Sequence, residues 1–172
     1  MKTAVLRRHL LSVEAAMRAC ARRVGGNEDE WGLAGLFHDL DWESLADPSL
    51  HATMGADVLA QRGWPPEIVR AVRAHADHTN TPRQTPMEKS LFAVDELCGF
   101  IIACALVRPS KSLGELAPPS VRKKMRDKAF ARAVNRDDIV KGAEQLGVDL
   151  DTHIAFVTEA LKPVAAQIGV NP

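Results

Sequence analysis

The amino-acid sequence predicts an all-α fold, a compact bundle of about eight helices in a single domain spanning residues 1–172. Apolar residues recur with helical spacing along nearly the whole chain, and the strict alternation of apolar and polar residues that marks β-strands is sustained nowhere. Apolar residues form 46% of the chain and charged residues 26%. That composition is typical of a globular protein with a buried core, and it excludes a disordered or fibrous chain.

Glycine, proline and capping residues divide the periodic segments into separate helices. Gly25 and Gly26 end the first helix, and Asn27 followed by Glu30 resembles a capping box that opens the second. Two adjacent prolines at positions 65–66 open the fourth helix. The expected helices cover about residues 3–24, 27–40, 48–63, 65–78, 87–107, 120–134, 136–146 and 149–168.

Net charge, aromatic content and cysteine spacing exclude several classes of partner. The 22 basic and 22 acidic side chains cancel, so charge gives no argument for nucleic acid or a membrane surface. The absence of tyrosine disfavours a stacking surface for long single-stranded nucleic acid. The longest apolar stretch, residues 97–107, is about half the length that crosses a bilayer. Three cysteines without paired spacing indicate reduced thiols in a cytoplasmic protein, and the sequence specifies no oligomeric state.

One acidic side chain falls on a helix face that should be buried. Asp95 lies on the apolar stripe that Leu91, Cys98 and Ile102 form along the predicted helix of residues 87–107. An acid at such a position is costly unless a cation or several hydrogen bonds compensate its charge. The ordinary alternative is a buried aspartate that pairs with an arginine or caps a neighbouring helix.

Four histidines also lie on helix faces or helix ends that should be partly or fully buried. His75 continues the buried face of its helix, and His38 points inward at the end of the second helix, with Asp39 directly after it. His9 lies at the margin of the apolar face of the first helix, and His51 begins the third. Each of these alone is an ordinary core or surface histidine. Together, imidazole nitrogens and carboxylate oxygens are the donors that divalent metals prefer, so a metal centre explains all of them.

In this order the residues resemble the HD-domain metal-dependent phosphohydrolases. The resemblance covers about residues 1–105 and rests on the segments GLFHDLDWE, HATMGADVL, VRAHADH and AVDELCG, preceded by a histidine in the first helix. It implies an HD-domain-like bundle, with a metal-site core of about residues 1–107. The helices of about residues 118–168 are expected to pack on that core.

The resemblance also implies a metal site. In simpler members of the family, the first histidine, the HD pair and the last aspartate hold one metal. In binuclear members, two intervening histidines hold a second metal, and the HD aspartate bridges both. The matching residues are His9, His38, Asp39 and Asp95 for the first metal, and His51, His75 and Asp39 for the second. Two divalent ions of Fe, Mn, Zn, Ni or Co are expected, with a single metal as the alternative.

Residues near these motifs are candidates for catalysis and substrate binding. Asp41 stands where many relatives have glycine, and Asp41 and Glu43 are expected at the mouth of the site, as general acid or base or as caps of the next helix. Asp39 takes part in catalysis as the bridge, and His78 contacts substrate or replaces His75 as a ligand. Phosphate contacts are predicted for the basic side chains of Lys89, Arg108, Lys111, Lys123, Lys124 and Lys128. A solvated basic helix face is the alternative for each of them.

The resemblance implies hydrolysis of a phosphate ester or anhydride in a small molecule, a nucleotide first of all, by metal-activated hydroxide. The family includes nucleotidases, cyclic-nucleotide phosphodiesterases, dinucleotide polyphosphate hydrolases and (p)ppGpp hydrolases. A mononuclear enzyme of the 5′-nucleotidase type is one alternative. A non-catalytic sensor that binds a metal and a nucleotide is the other.

Overall fold

Nine α-helices form within residues 2–172, the part of the chain that this computed structural model describes. They are α1 (Ala4–Val24), α2 (Glu28–Phe37), α3 (Thr53–Gln61), α4 (Pro66–Ala74), α5 (Pro86–Leu106), α6 (Pro118–Met125), α7 (Arg136–Leu146), α8 (Leu150–Leu161) and α9 (Ala165–Ile168). Three short 3-10 turns lie at Pro48–Leu50, Asp77–Thr79 and Lys162–Val164. The predicted all-α class is confirmed, since the helices are the regular elements and α9 is a single turn.

Side-chain caps account for the starts of several helices. The Asn27 side chain accepts hydrogen bonds from the backbone N–H groups of Asp29 and Glu30, so α2 begins where the sequence predicted. A full capping box, however, forms at the start of α5, where Thr85 and Glu88 satisfy each other's backbone N–H groups. Caps of this kind fix where the long helix begins, and with it the register of the residues that α5 presents.

Two predicted helices end earlier than their periodicity indicates, and both changes affect the candidate metal site. α2 ends at Phe37 instead of near residue 40, because the chain turns over residues 38–44. The predicted helix of residues 48–63 is interrupted after a 3-10 turn, because Ala52 adopts a positive φ of 63° before α3 begins. His38 and His51 therefore occupy turns next to helix ends rather than helix interiors.

Three further boundaries differ from the sequence prediction for local reasons. α4 stops at Ala74, and a 3-10 turn replaces the predicted last turn up to residue 78. The predicted helix of residues 120–134 ends at Met125, and turns that include Ala131 at φ 41° follow it. The predicted helix of residues 149–168 is divided into α8 and α9 around Pro163, which has no backbone N–H to donate.

The two 21-residue helices, α1 and α5, carry much of the buried core. Leu10 and Met17 of α1 and Leu97 and Phe100 of α5 are fully buried, and each contributes about 1.5–3 kcal/mol through burial of apolar surface. α2 packs on α1, and α7 packs on α5. Within residues 2–172, every helix is too short or too polar to cross a lipid bilayer.

Two glycines allow neighbouring helices to approach at backbone distance. A Cβ atom at Gly35 of α2 would lie 2.9 Å from the carbonyl oxygen of Val13 in α1. A Cβ atom at Gly142 of α7 would lie 2.6 Å from the Cα of Ala93 in α5. The first contact holds the end of α2, and therefore the residues that follow it, directly against α1.

We predict that Gly142→Ala destabilises the fold by about 2 kcal/mol, because the new methyl group must push the α7 backbone away from α5. Urea denaturation of the purified protein measures this change. Glu144→Ala, an exposed substitution on the same helix, is the control and should leave the free energy of unfolding nearly unchanged. Equal stability of the two variants would show that α7 and α5 can separate at no cost.

Candidate metal centre

The six predicted metal-binding side chains come from five different segments and meet in one place. They lie on α1, in the turn after α2, before α3, at the end of α4 and on α5. In chain order they are His9, His38, Asp39, His51, His75 and Asp95. Five of them line a cleft of about 980 Å³, and His38 is fully buried behind them.

The first group of donor atoms surrounds the carboxylate of Asp95. Its Oδ1 lies 3.0 Å from Nε2 of His9 and 3.3 Å from Nε2 of His38, and these two nitrogens are 3.2 Å apart. Asp39 Oδ1 lies 3.5 Å from the same His38 nitrogen. Donors bound to one cation at about 2.1 Å are separated by about 3.0–3.4 Å, so these spacings fit one divalent metal.

The second group of donor atoms surrounds the carboxylate of Asp39. Its Oδ1 lies 3.2 Å from Nε2 of His51 and 3.5 Å from Nε2 of His75, and these two nitrogens are 3.2 Å apart. Its Oδ2 faces the first group, 3.8 Å from Nε2 of His9. The carboxylate of Asp39 thus lies between the two groups, which is the position that a bridging ligand requires.

Hydrogen bonds on the opposite side of three imidazole rings determine which nitrogen faces the cluster. Nδ1 of His38 lies 2.7 Å from the carbonyl oxygen of Gly35, and Nδ1 of His75 lies 2.6 Å from that of Val72. Nδ1 of His51 lies 2.8 Å from a carboxylate oxygen. These oxygens only accept hydrogen bonds, so each Nδ1 carries a proton and donates it. In the neutral ring, Nε2 then presents a lone pair to the cluster.

The lone pairs of these rings face carboxylates, an arrangement that favours a cation. Burial lowers the pKa of His38, but the charges of Asp39 and Asp95 outweigh burial and raise that pKa to about 10. Burial likewise lowers the pKa of His51, and Asp39 and Asp41 raise it to about 9. Burial would raise the pKa of Asp39 and Asp95, yet the charge of His38 holds both well below the usual range. A proton or a metal ion satisfies this demand, and metal binding displaces protons from such sites.

Asp41 lies behind His51 and not at the mouth of the site, which corrects the sequence expectation. Its Oδ1 accepts the Nδ1–H of His51, and its Oδ2 accepts the backbone N–H of Gly55 at 2.8 Å. Of the two roles that the sequence left open, the contacts match the cap of the next helix. Burial would raise the pKa of Asp41, but the bonds from His51 and Gly55 lower it, so the group stays a carboxylate. It orients a candidate ligand and is not free to exchange protons with substrate.

Glu43 lines the cleft but is held by the start of α1. Its two carboxylate oxygens accept the backbone N–H groups of Lys2 and Thr3, the latter at 2.8 Å. A hydrogen bond from the side chain of Thr3 first, and then the one from the backbone N–H of Lys2, lower the pKa of Glu43 to about 2. A carboxylate with that pKa has no proton to give at neutral pH, so the contacts disfavour Glu43 as a general acid.

His78 also lines the cleft but lies outside both donor groups. Its Nε2 lies 3.0 Å from the carbonyl oxygen of His51 and donates to it. The rings of His78 and His51 are 6.1 Å apart between centroids. Nε2 of His75, in contrast, points at Asp39. The geometry therefore favours His75 over His78 in the ligand position, and it leaves His78 beside the space that substrate would enter.

None of the six basic residues predicted to contact phosphate lines the cleft that residues 2–172 form, which corrects their expected placement. Arg108 pairs with Glu115 at 3.4 Å, and the Lys124 ammonium lies over the Phe130 ring, 4.8 Å from its centroid. The other four residues are also absent from the part of the cleft wall that residues 2–172 form: Lys89, Lys111, Lys123 and Lys128. The basic segment after α5 folds away from the cluster, and the solvated-face alternative matches the observed positions better.

One face of α5 forms a wall of the cleft that the sequence analysis did not recognise. Phe92, Glu96, Gly99 and Leu106 follow one another at intervals of one or two helical turns, and Asp95 lines the cleft beside them. That spacing is the signal that could have identified the wall, since it repeats every three or four residues. Burial, followed by the charge of Asp95, raises the pKa of Glu96 to about 7.

Two more lining residues were also missed, because neither belongs to an apolar pattern. Trp42 is 54% exposed, and its ring stands edge-on to that of His51 at 4.9 Å between centroids. Arg8 directly precedes the first candidate ligand on α1 and also lines the cleft. Both side chains lie at the margin of the cleft, where a molecule larger than phosphate would extend.

Comparisons with known proteins agree with this geometry. A family model described as the HD domain matches residues 6–99, more than half of the chain. The chain is 36% identical over 83 residues to Ribonuclease Y of Syntrophobacter fumaroxidans, an alignment that covers 46% of this chain and 15% of that protein. The chain thus spans only a small part of the length of this relative. No solved structure matches the chain.

The matched region begins in α1 and ends in α5, so it includes all six candidate ligands. Because this match covers more than half of the sequence and joins the same five segments that build the donor cluster, the chain belongs to the HD domain family, a superfamily of metal-dependent phosphohydrolases.

Proposed function

We propose that this protein hydrolyses a phosphate ester or anhydride of a small molecule, with nucleotides as the first substrate class, in a reaction that depends on two divalent metal ions. One observation carries the proposal. Imidazole lone pairs and two carboxylates converge at the floor of an open cleft, at separations that suit ligands of a shared cation.

The donors divide into two metal positions joined by one carboxylate. His9, His38, Asp95 and Asp39 would hold the first metal, and Asp39 with two further imidazoles would hold the second. Divalent cations of the Fe, Mn, Zn, Ni or Co type supply Lewis acidity, which makes water nucleophilic near neutral pH and offsets phosphate charge. Mixed nitrogen and oxygen donors of this kind accept several of these metals.

Protein groups around the donors orient the reaction. Asp41 fixes the tautomer of His51, and the carbonyl groups at the ends of α2 and α4 do the same for the two other buried imidazoles. His78 donates through Nε2 to the carbonyl of His51, which holds its ring at the edge of the cleft beside the space that substrate would enter. We assign His78 a substrate-contacting role and Asp39 the central catalytic position.

We also infer that the whole chain forms one functional domain. The cleft wall combines residues of the N-terminal core with Asp138 of α7 and Ile168 of α9. The C-terminal helices therefore help to shape the space for substrate and are not an independent appendage. We expect this domain to act in the cytoplasm on small phosphorylated molecules.

A small substrate fits the cleft better than a long nucleic acid does. Affinity for a nucleic-acid backbone comes largely from lysine and arginine at the phosphates, whereas most charged side chains of the cleft are acidic. The name Ribonuclease Y describes an enzyme acting on RNA, and the matched region is 15% of that protein. Short oligoribonucleotides are therefore a reasonable addition to a substrate panel.

We predict two Mn²⁺ per chain in the wild-type protein, and one in the double variant His51→Ala, His75→Ala, since that variant removes two of three donors at the second position. Metal analysis after repletion and gel filtration measures the ratio. His78→Ala is the matched control and should keep two metals, because its imidazole lies outside both donor groups. A double variant with its full metal content and activity would support a mononuclear enzyme instead.

We predict that Asp41→Asn raises the Kd of the protein for Mn²⁺ about tenfold, because the neutral amide orients His51 less well and makes its imidazole a weaker donor. Isothermal titration calorimetry gives the Kd. Asp47→Asn neutralises an exposed acid nearby in sequence and should bind metal like the wild type. Identical Kd values for both variants would exclude an orienting role for Asp41.

The Mn²⁺-loaded wild-type protein should release inorganic phosphate, or a nucleotide product, from at least one class in a panel of phosphomonoesters, cyclic nucleotides, dinucleotide polyphosphates and short oligoribonucleotides. Asp95→Ala should abolish this turnover, since the carboxylate lies at the centre of the first donor group. Parallel assays with Fe, Co, Ni, Zn and Mg identify the preferred metal. Thermal stabilisation by a nucleotide without any turnover would indicate a sensor rather than an enzyme.

A further inference from the structure

The charge of the cleft poses a problem for a phosphorylated substrate. Among the described residues 2–172, six acidic ones line its wall, namely Asp39, Glu43, Asp77, Asp95, Glu96 and Asp138. Asp77 is neutralised by Arg83 and Lys141, and metal ions would neutralise the donor carboxylates. Glu43, Glu96 and Asp138 remain in the wall beside the donor groups, so a positive side chain there would help a phosphate to enter.

Arg8 is the one lysine or arginine side chain in the wall of this cleft, as formed by residues 2–172. No carboxylate oxygen in that part of the chain lies within 4.0 Å of its guanidinium, so its charge is not consumed by an ion pair. Arg8 and its neighbour Arg7 are both exposed on α1, but of the two it is Arg8 that lines the cleft wall. The positive charge in the cleft wall therefore comes from the position of Arg8 on α1 and not from a general basic surface.

The guanidinium of Arg8 contacts the backbone at the C-terminal end of α9. A Cβ atom at Gly169 would lie 3.0 Å from both Cζ and Nη1 of Arg8, and 3.2 Å from its Nε. Gly169 has a φ of 83°, which glycine adopts without strain and which ends α9. The flat guanidinium thus lies against bare backbone, next to Ile168 of the cleft wall. Contact on one side restricts the side chain while leaving N–H donors for an anion.

We propose that Arg8 binds a phosphoryl oxyanion of the substrate at the α9 end of the cleft. This assignment rests on the proposed phosphohydrolase function and adds to it the cation that offsets the acidic wall. A guanidinium suits this task because its parallel N–H groups match two phosphate oxygens. The six basic residues that the sequence indicated for phosphate do not line the cleft formed by residues 2–172.

The test measures anion binding to the Mn²⁺-loaded protein with two probes, orthophosphate and methylenediphosphonate, by isothermal titration calorimetry. Arg8→Gln should weaken binding of at least one probe about tenfold, and Arg8→Lys should fall between Gln and wild type because it keeps charge but loses the paired donors. Arg7→Gln is the matched control and should bind both probes like the wild type. Because the probes chelate metal equally in every sample, comparison with Arg7→Gln also corrects for chelation of Mn²⁺ by the probes.

The two probes locate the contacted phosphate. Weakened orthophosphate binding places Arg8 at the phosphate that the metals hold, and weakened diphosphonate binding alone places it at a second phosphate. Either result supports the assignment, provided that Mn²⁺ content and melting temperature match the wild type. Binding of both probes to a folded, metal-loaded Arg8→Gln protein with wild-type affinity would overturn the role of Arg8 alone. A wild-type protein that retains no metal would overturn the underlying function instead.

Discussion

Mutual dependence between carboxylates and imidazole lone pairs at the floor of the cleft is the constraint around which the fold is arranged. Asp39 and Asp95 are too enclosed to remain charged without compensation, and the imidazoles around them present nitrogen lone pairs instead of protons when neutral. A cation resolves this conflict. Since five separate segments supply the donors, that cation would also tie α1, α4 and α5 to the turns after α2 and before α3.

The backbone departs from regular helix where the donors require it. Gly35 lets α2 lie against the α1 backbone, and the helix then ends so that the ring of His38 can donate to a carbonyl of its own last turn. A buried residue at positive φ, Ala52, precedes α3 and directly follows His51. Unfavourable backbone conformations of this kind persist where surrounding contacts determine them, often at functional sites.

The sequence predicted the fold class and the members of the donor cluster. Helical periodicity identifies a polar residue that lies on an apolar helix face, and the order of such residues along the chain resembles the family motif. The sequence could not predict which side chains hydrogen-bond to the candidate ligands from the side away from the metal site. Asp41 was expected at the mouth, yet it is buried, because a turn in three dimensions brings it to His51 and Gly55. The position of the predicted phosphate-binding residues differs for the same reason: Lys123 and its basic neighbours follow α5 in sequence, but they do not line the cleft.

Selectivity for substrate follows from how few cations face the cleft. Under the proposed function, the acidic residues of the wall disfavour an anion until metals occupy its floor, so metal and phosphate binding would be coupled through charge as well as through direct contact. The fixed charge of Arg8 does not depend on metal and lies against α9, a helix outside the segment that the family model matches. The donor cluster lies in α1–α5, the part of the chain that the family model matches, and under the proposed function the C-terminal helices would help to determine which phosphorylated molecules reach it.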